Sequence, residues 1–237
     1  MSLIATEKLR KLMKRQFPLL SAWVKQRKLT SALAGKSAEQ IFTRLVQDNK
    51  WGDQQSVCGV GSNLEQTAEV RRALPLLLRA RQFRSMLDLA CGDFNWMRLL
   101  PLDIDYVGAD IVASLVTENQ RRYGSDRCRF MRLDLLAEKL PPADLVLCRD
   151  CLVHFSYRDV FRALANIKRS GSGFLLTTTF TGRTANHDIL TGHWRPLNLQ
   201  QAPFSLPPPA WLLDEQCPQQ HYRDKHLGLW PVADLPG

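Results

Sequence analysis

The sequence predicts an α/β fold: a mostly parallel, seven-stranded sheet with helices on both faces and a helical extension at the N-terminus. Three observations carry this expectation. From residue 84 onward, short apolar runs alternate with stretches of helical periodicity. An aspartate, Asp88, Asp110, Asp134 or Asp150, stands at or just beyond the carboxyl end of each of the first four runs. The 237 residues, 45% of them hydrophobic, suffice for one substantial core but not for two full domains.

The elements follow in order. Residues 1–50 read as a basic helical arm. Leu3, Leu9, Leu12 and Met13, then Phe17, Leu19, Leu20, Trp23 and Val24, leave Lys and Arg on the other faces, and Pro18 punctuates the run. Ser37, with Glu39 and Gln40 behind it, suits the start of a helix over 38–49. Residues 51–63 form a polar, glycine-bearing loop, and helical spacing returns over 64–80. Strands are expected at 85–90, 106–109, 129–133, 144–148 and 174–178, with helices near 94–100, 112–123 and 157–169 between them. Segments 208–216 and 226–232 supply a final strand pair. The long polar stretch 179–207 is expected to be an insertion on the substrate side, because structureless loops of that length usually serve function. The chain thus divides into an arm, 1–50, and a catalytic domain, 51–237.

Charge separates the same two parts. The net charge is +9, but residues 1–50 hold 11 Lys/Arg against 3 Asp/Glu, leaving 21 against 20 for the remainder. The body is nearly neutral, so the overall basicity is no argument for nucleic-acid binding by the whole chain. The arm is the part suited to an anionic partner. No apolar signal region follows the basic N-terminus, and no run approaches the length of a membrane span. Of the six cysteines, only Cys148 and Cys151 have CxxC spacing, and no second pair completes a metal site. Reduced thiols in a cytoplasmic protein, with no metal, are the expectation.

The chemistry concentrates in Met86-Leu87-Asp88-Leu89-Ala90-Cys91-Gly92-Asp93. A buried strand delivers an acid, then a turn in which Gly92 lets a ligand approach the backbone. The three glycines of the dinucleotide fingerprint are missing, as is the Gly-Lys-Ser/Thr end of a phosphate loop. Asp88-x-Ala90-x-Gly92 resembles the first motif, D/E-x-G-x-G, of class I S-adenosylmethionine-dependent methyltransferases. Ala90 replaces the first glycine, and Phe94 stands where a third is common. The resemblance covers roughly residues 84–180 and implies a Rossmann-like fold. It also implies that S-adenosylmethionine is consumed and S-adenosylhomocysteine released.

Residue by residue, the resemblance places Asp88, Ala90, Cys91 and Gly92 around the cofactor. Asp110, 22 residues beyond Asp88, accepts the ribose hydroxyls, with Ile111 beside it. Asp134 and Leu135 receive the adenine. Arg149 and Asp150 end the fourth strand, which faces the methyl group. A finer likeness, to a bacterial subgroup of poorly defined substrate, lies in Trp51-Gly52, Gly59-Val60-Gly61-Ser62, Arg71 and Cys148-Arg149-Asp150-Cys151-Leu152-Val153-His154. It implies a lid in which Trp51, Gly61 and Ser62 meet the cofactor and Arg71 pairs with its carboxylate.

Methyl transfer to a hydroxyl or amine requires a proton acceptor, and His154 and Asp150 are the candidates. Asn186, His187, Asp188, His193, Trp194 and Arg195 are expected to form a substrate pocket in the insertion. The Asn/Asp-Pro-Pro-Tyr/Phe tetrapeptide, the Pro-Cys nucleophile and the paired-glutamate loop of three macromolecule-directed groups are missing. Transfer to O or N of a small molecule, sugar or peptide is therefore expected. The alternatives are an RNA or protein substrate docked through the arm, and a non-catalytic domain that only binds the cofactor.

Overall fold

Seven strands join in one sheet in the order β3–β2–β1–β4–β5–β7–β6 in the computed structural model, which describes residue 33 and residues 35–237. The strands are β1 (Ser85–Leu89), β2 (Asp105–Asp110), β3 (Cys128–Arg132), β4 (Leu145–Cys148), β5 (Phe174–Phe180), β6 (Trp211–Asp214) and β7 (Lys225–Pro231). The first five pair in parallel, and β7 runs antiparallel between β5 and β6. The chain winds outward from β1 to β3 and then returns to β4 on the other side of β1. The order thus reverses between β1 and β4, which opens a crevice at their carboxyl ends.

Strand alternation sorts the core into two layers. Leu87, Leu89 and Val146 pack with Val160, Ala163, Leu164 and Ile167 of helix α4 (Tyr157–Arg169). Met86, Leu145 and Leu147, one residue out of phase, pack with Val70, Leu74, Leu77 and Leu78 of α2 (Ala68–Ala80). Consecutive side chains of one strand meet different helices, so the sheet is covered on both faces. Helix α3 (Ala113–Tyr123) connects β2 to β3. Ser156 starts α4 by accepting the Asp159 N–H, as a helix N-cap does.

Residues Ala38–Gly237 form one compact unit. Helix α1 (Ala38–Gln47) belongs to it: Ile41 and Leu45 are buried, and Phe42 packs edge-on against Phe155 with ring centroids 5.9 Å apart. The expected arm therefore overlaps the body by this helix, whose apolar face is part of the core. The helices read over residues 1–32, and the anionic partner they suggest, lie outside the described residues. No helix among the described residues is long and apolar enough to cross a membrane.

Two elements differ from expectation for physical reasons. The helix expected at 94–100 is only a 3-10 turn, Met97–Leu99. Phe94 has φ 58°, which no right-handed helix accommodates, and its ring is buried against Tyr106, Tyr123 and Phe130. The helix expected from 64 starts at Ala68, because Asn63 Oδ1 accepts the Gln66 N–H and turns the chain first.

Candidate active site

Three left-handed residues shape the turn after β1: Ala90 at φ 59°, Gly92 at 61° and Phe94 at 58°. Gly92 has a second reason to lack a side chain, since a Cβ there would stand 2.5 Å from Cys58 Sγ. Its N–H donates to Asp110 Oδ2 at 3.0 Å, and its carbonyl accepts Asn119 Nδ2 at 2.8 Å. Asp110 Oδ1 accepts the Val112 N–H at 2.9 Å. One carboxylate thereby ties the β1 turn to the end of β2. Burial raises the Asp110 pKa against these stabilising hydrogen bonds.

A cavity of about 360 Å³ opens beside this turn. Ala90, Gly92, Asp110, Ile111, Asp134 and Leu135 line it, as do Trp51, Gly61, Ser62, Arg149, Asp150 and His154. Twelve of the fifteen site residues expected from the sequence therefore meet in one place. Asp88, Cys91 and Arg71 are not among the lining residues. Asp88 lies inside the sheet and accepts the Tyr106 hydroxyl at 2.7 Å. Burial lifts its pKa to about 7, with the Asp110 charge adding to the rise. Cys91 Sγ packs toward Gly108. Arg71 donates to the Leu64 carbonyl at 2.9 Å, so it braces the entry to α2.

The loop 51–66 is fixed over the cavity by three anchors. Asp93 accepts Ser56 Oγ and the Val57 N–H at 3.1 and 3.0 Å, and Asn95 donates to the Ser62 carbonyl at 3.0 Å. Arg149 donates to the Gly61 carbonyl at 2.6 Å. A Cβ on Gly61 would stand 2.7 Å from Asp150 Oδ2, so this close seating also requires glycine.

Two buried partners of this region were not expected from the sequence. Arg149 pairs with Glu215 at 2.6 Å and with Asp150 at 3.3 Å, and its guanidinium lies 5.7 Å from the Trp96 ring centroid. Lys225 pairs with Asp150 at 2.6 Å and with Glu215 at 3.3 Å. The four groups sum to zero charge. Burial alone would raise the Asp150 pKa, but the Lys225 ammonium and the Arg149 guanidinium hold it at about 2. A carboxylate so strongly paired is a weak base. Asp150 is thus an anchor of this network, with φ 52° and its N–H donated to Thr178 Oγ1 at 2.8 Å.

His154 is different. Its Nδ1 lies 2.9 Å from the His193 carbonyl. A carbonyl only accepts, so Nδ1 carries the proton and Nε2 keeps its lone pair. Burial, outweighing the His193 hydrogen bond, depresses the pKa below the ordinary histidine range. The ring is therefore neutral near pH 7 and able to take a proton.

The insertion supplies less to the cavity than expected. Of its six candidates only Trp194 lines the wall. Arg195, buried at 1% exposure, donates to the carbonyls of His187, Leu152, Val153 and Phe155. It holds the insertion against the turn that presents His154. Asn186 donates to the Asn198 and Ala202 carbonyls, and Asp188 accepts the Tyr157 N–H. Lys225, Tyr222, Phe180, Phe42 and Gln66 also line the cavity. All six cysteines are free thiols, and no group of three potential metal ligands occurs among the described residues.

Residues 86–171, about a third of the chain, match a family model described as a methyltransferase domain. Those residues span β1 to the end of α4, the segment that carries the β1 turn and the β4 end of the cavity, within a seven-stranded sheet of Rossmann-like order. The chain's fold is similar to that of a structure described as PigF with SAH, at 15% identity and a TM-score of 0.59, covering 92% of this chain and 71% of that one. Magnesium protoporphyrin IX methyltransferase from Synechocystis PCC 6803 aligns at 18% identity and a TM-score of 0.47, covering 65% of this chain and 82% of that one. The methyltransferase domain of bacterial CtHen1 aligns at 15% identity and 0.43, covering 49% of this chain and 66% of that one. The PH0226 protein of Pyrococcus horikoshii is spanned over only 58% of its length. No curated protein sequence matches the chain.

Proposed function

We propose that the chain is an enzyme that uses S-adenosylmethionine to methylate an O or N nucleophile of a small molecule, sugar or peptide, with His154 as the base. The observation that carries this is the convergence of Gly92, Asp110, Asp134 and His154 on one cavity at the sheet's switch point. The donor set suits the cofactor. Asp110 accepts the Gly92 and Val112 N–H groups on its two oxygens, and its carboxylate lines the cavity as the acceptor for the ribose hydroxyls. Ile111, Leu115 and Leu135 offer apolar walls for a purine, and Asp134 lies beside them in the lining. The Gly61–Ser62 segment, held by Arg149 through the Gly61 carbonyl, lines the cavity where the loop crosses it, suited to the methionine end.

The bound cofactor supplies an electrophilic methyl group on a sulfonium. The chain orients and excludes water: the anchored loop 51–66 covers the cavity, and the Arg149–Lys225 network fixes the β4 end beneath it. His154 Nε2 accepts the nucleophile's proton, and the His193 carbonyl stabilises the resulting imidazolium through Nδ1–H. Calorimetry on the full chain tests the reading. S-adenosylmethionine and S-adenosylhomocysteine are expected to bind one site without added metal. Absence of binding by both would overturn it.

A further inference from the structure

Two groups of rings, each linked by contacts within itself, line the cavity that holds His154. In the first, Trp51 and Phe42 meet the His154 ring at centroid distances of 5.5 and 6.3 Å. In the second, Phe180, Trp194 and Tyr222 pack edge-to-face, with Trp194–Tyr222 at 5.0 Å and the other two pairs at 6.1 Å. Phe180 ends β5, Trp194 comes from the insertion and Tyr222 from the β6–β7 connection, so the second group is assembled from three places beyond the matched residues. Trp194 is 40% exposed while lining the cavity, an unusual position for so large an apolar ring and one suited to its mouth.

We infer that the methyl acceptor is a neutral, planar aromatic ring bearing the nucleophilic hydroxyl, seated against these rings; the inference rests on the methyltransferase reading above. Flat rings stack or pack edge-on against such walls with a gain beyond simple burial. A cationic acceptor would want an unpaired anion or rings splayed around it. The carboxylate that lines the cavity beside His154, Asp150, is neutralised by Lys225 and Arg149, and the rings of the second group pack on one another. An anionic acceptor fares no better, because Lys225 and Arg149 are engaged by Asp150 and Glu215. A sugar would bring several hydroxyls that each need a partner. Of the groups beside His154, Asp150 and Lys225 bind each other and His154 Nδ1 is committed to a carbonyl, which leaves the neutral side chains of Ser62, Gln66, Gln219 and Tyr222 as the polar part of the lining.

A phenolic hydroxyl also suits a neutral imidazole as the proton acceptor, being far more acidic than an alkyl alcohol. The aryl oxygen forms its bond to the methyl carbon as the sulfur–methyl bond breaks. The proton passes to His154 Nε2, and the donor leaves as a neutral thioether.

The test uses the full chain saturated with S-adenosylhomocysteine. It is titrated in turn with 2-naphthol, methyl glucoside and N-acetylserine amide, and each compound is also assayed for S-adenosylhomocysteine formation with the methyl donor. 2-Naphthol is expected to bind, and Trp194→Ala is expected to weaken that binding about tenfold while leaving cofactor affinity unchanged. Tyr222→Ala gives the same reading where the first variant fails to fold. Preferential binding or methylation of the glucoside or the serine amide overturns the inference and leaves the methyltransferase reading intact. So does a cofactor-bound protein that ignores 2-naphthol, or naphthol binding indifferent to both variants. A chain that binds no cofactor overturns both readings.

Discussion

His154→Ala is expected to slow methyl transfer by about 10²–10⁴-fold, the usual contribution of a positioned base, with cofactor affinity nearly unchanged. The tautomer makes the expectation specific. Nδ1 donates to the His193 carbonyl, so the ring offers one basic nitrogen, and the residue lines the cavity. A pH profile separates this role from packing against Trp51 and Phe42. Burial holds the folded His154 pKa below the ordinary range, so the wild-type rate is expected to be level through neutral pH and to fall on acidification through that lowered value. The variant loses this limb. Stability moves in the same direction: a depressed histidine pKa contributes stability above the unfolded value that is lost as pH falls through the folded one. A variant with a lowered melting temperature, full turnover and an unchanged acid limb would assign His154 to packing alone.

Lys225→Met is expected to destabilise the fold by about 3–5 kcal/mol, the cost of leaving a buried charge without its partner. Lys225 has a side chain only 7% exposed and touches two carboxylates, and its loss leaves Arg149 alone against Asp150 and Glu215. Glu215 Oε1 is already buried without a hydrogen-bond partner among the described residues, so that carboxylate has little in reserve. The Asp150 carboxyl, held at about 2 mainly against burial by Lys225, then loses its main support, and its pKa should rise. Adding Asp150→Asn restores neutrality and should recover part of the loss. Chemical denaturation of the single and double variants measures this coupling. A single variant within about 0.5 kcal/mol of wild type, the range of ordinary surface substitutions, would show that the network contributes little.

What was legible in the sequence was local. The strands of the sheet are apolar runs bounded by turns, and α4 carries its own cap at Ser156 and its own apolar stripe, so its limits are where periodicity places them. Asp110, Asp134 and His154 were legible because strand ends order them along the chain. Residues whose roles depend on remote partners were not. Phe94 has helical spacing to its neighbours, yet its position is set by Phe130 and Tyr123. Arg71 looks like a carboxylate ligand in sequence and Arg195 like part of a substrate pocket, and only the fold shows Arg71 donating to the Leu64 carbonyl and Arg195 to a set of backbone carbonyls. Lys225 and Glu215 lie in β7 and the segment before it with no motif around them, 75 and 66 residues from the groups they pair with.

In the proposed function, the cavity at the β1–β4 switch point binds S-adenosylmethionine with its ribose on Asp110. The most direct test is the affinity of S-adenosylhomocysteine for the wild-type chain and for Asp110→Ala, measured by calorimetry with thermal unfolding as a control for the lost Gly92 and Val112 hydrogen bonds. Binding to the wild type is expected, with a loss of about 1.5–3 kcal/mol in the variant, the scale of charged hydrogen bonds. A folded variant that binds as tightly as the wild type would contradict it.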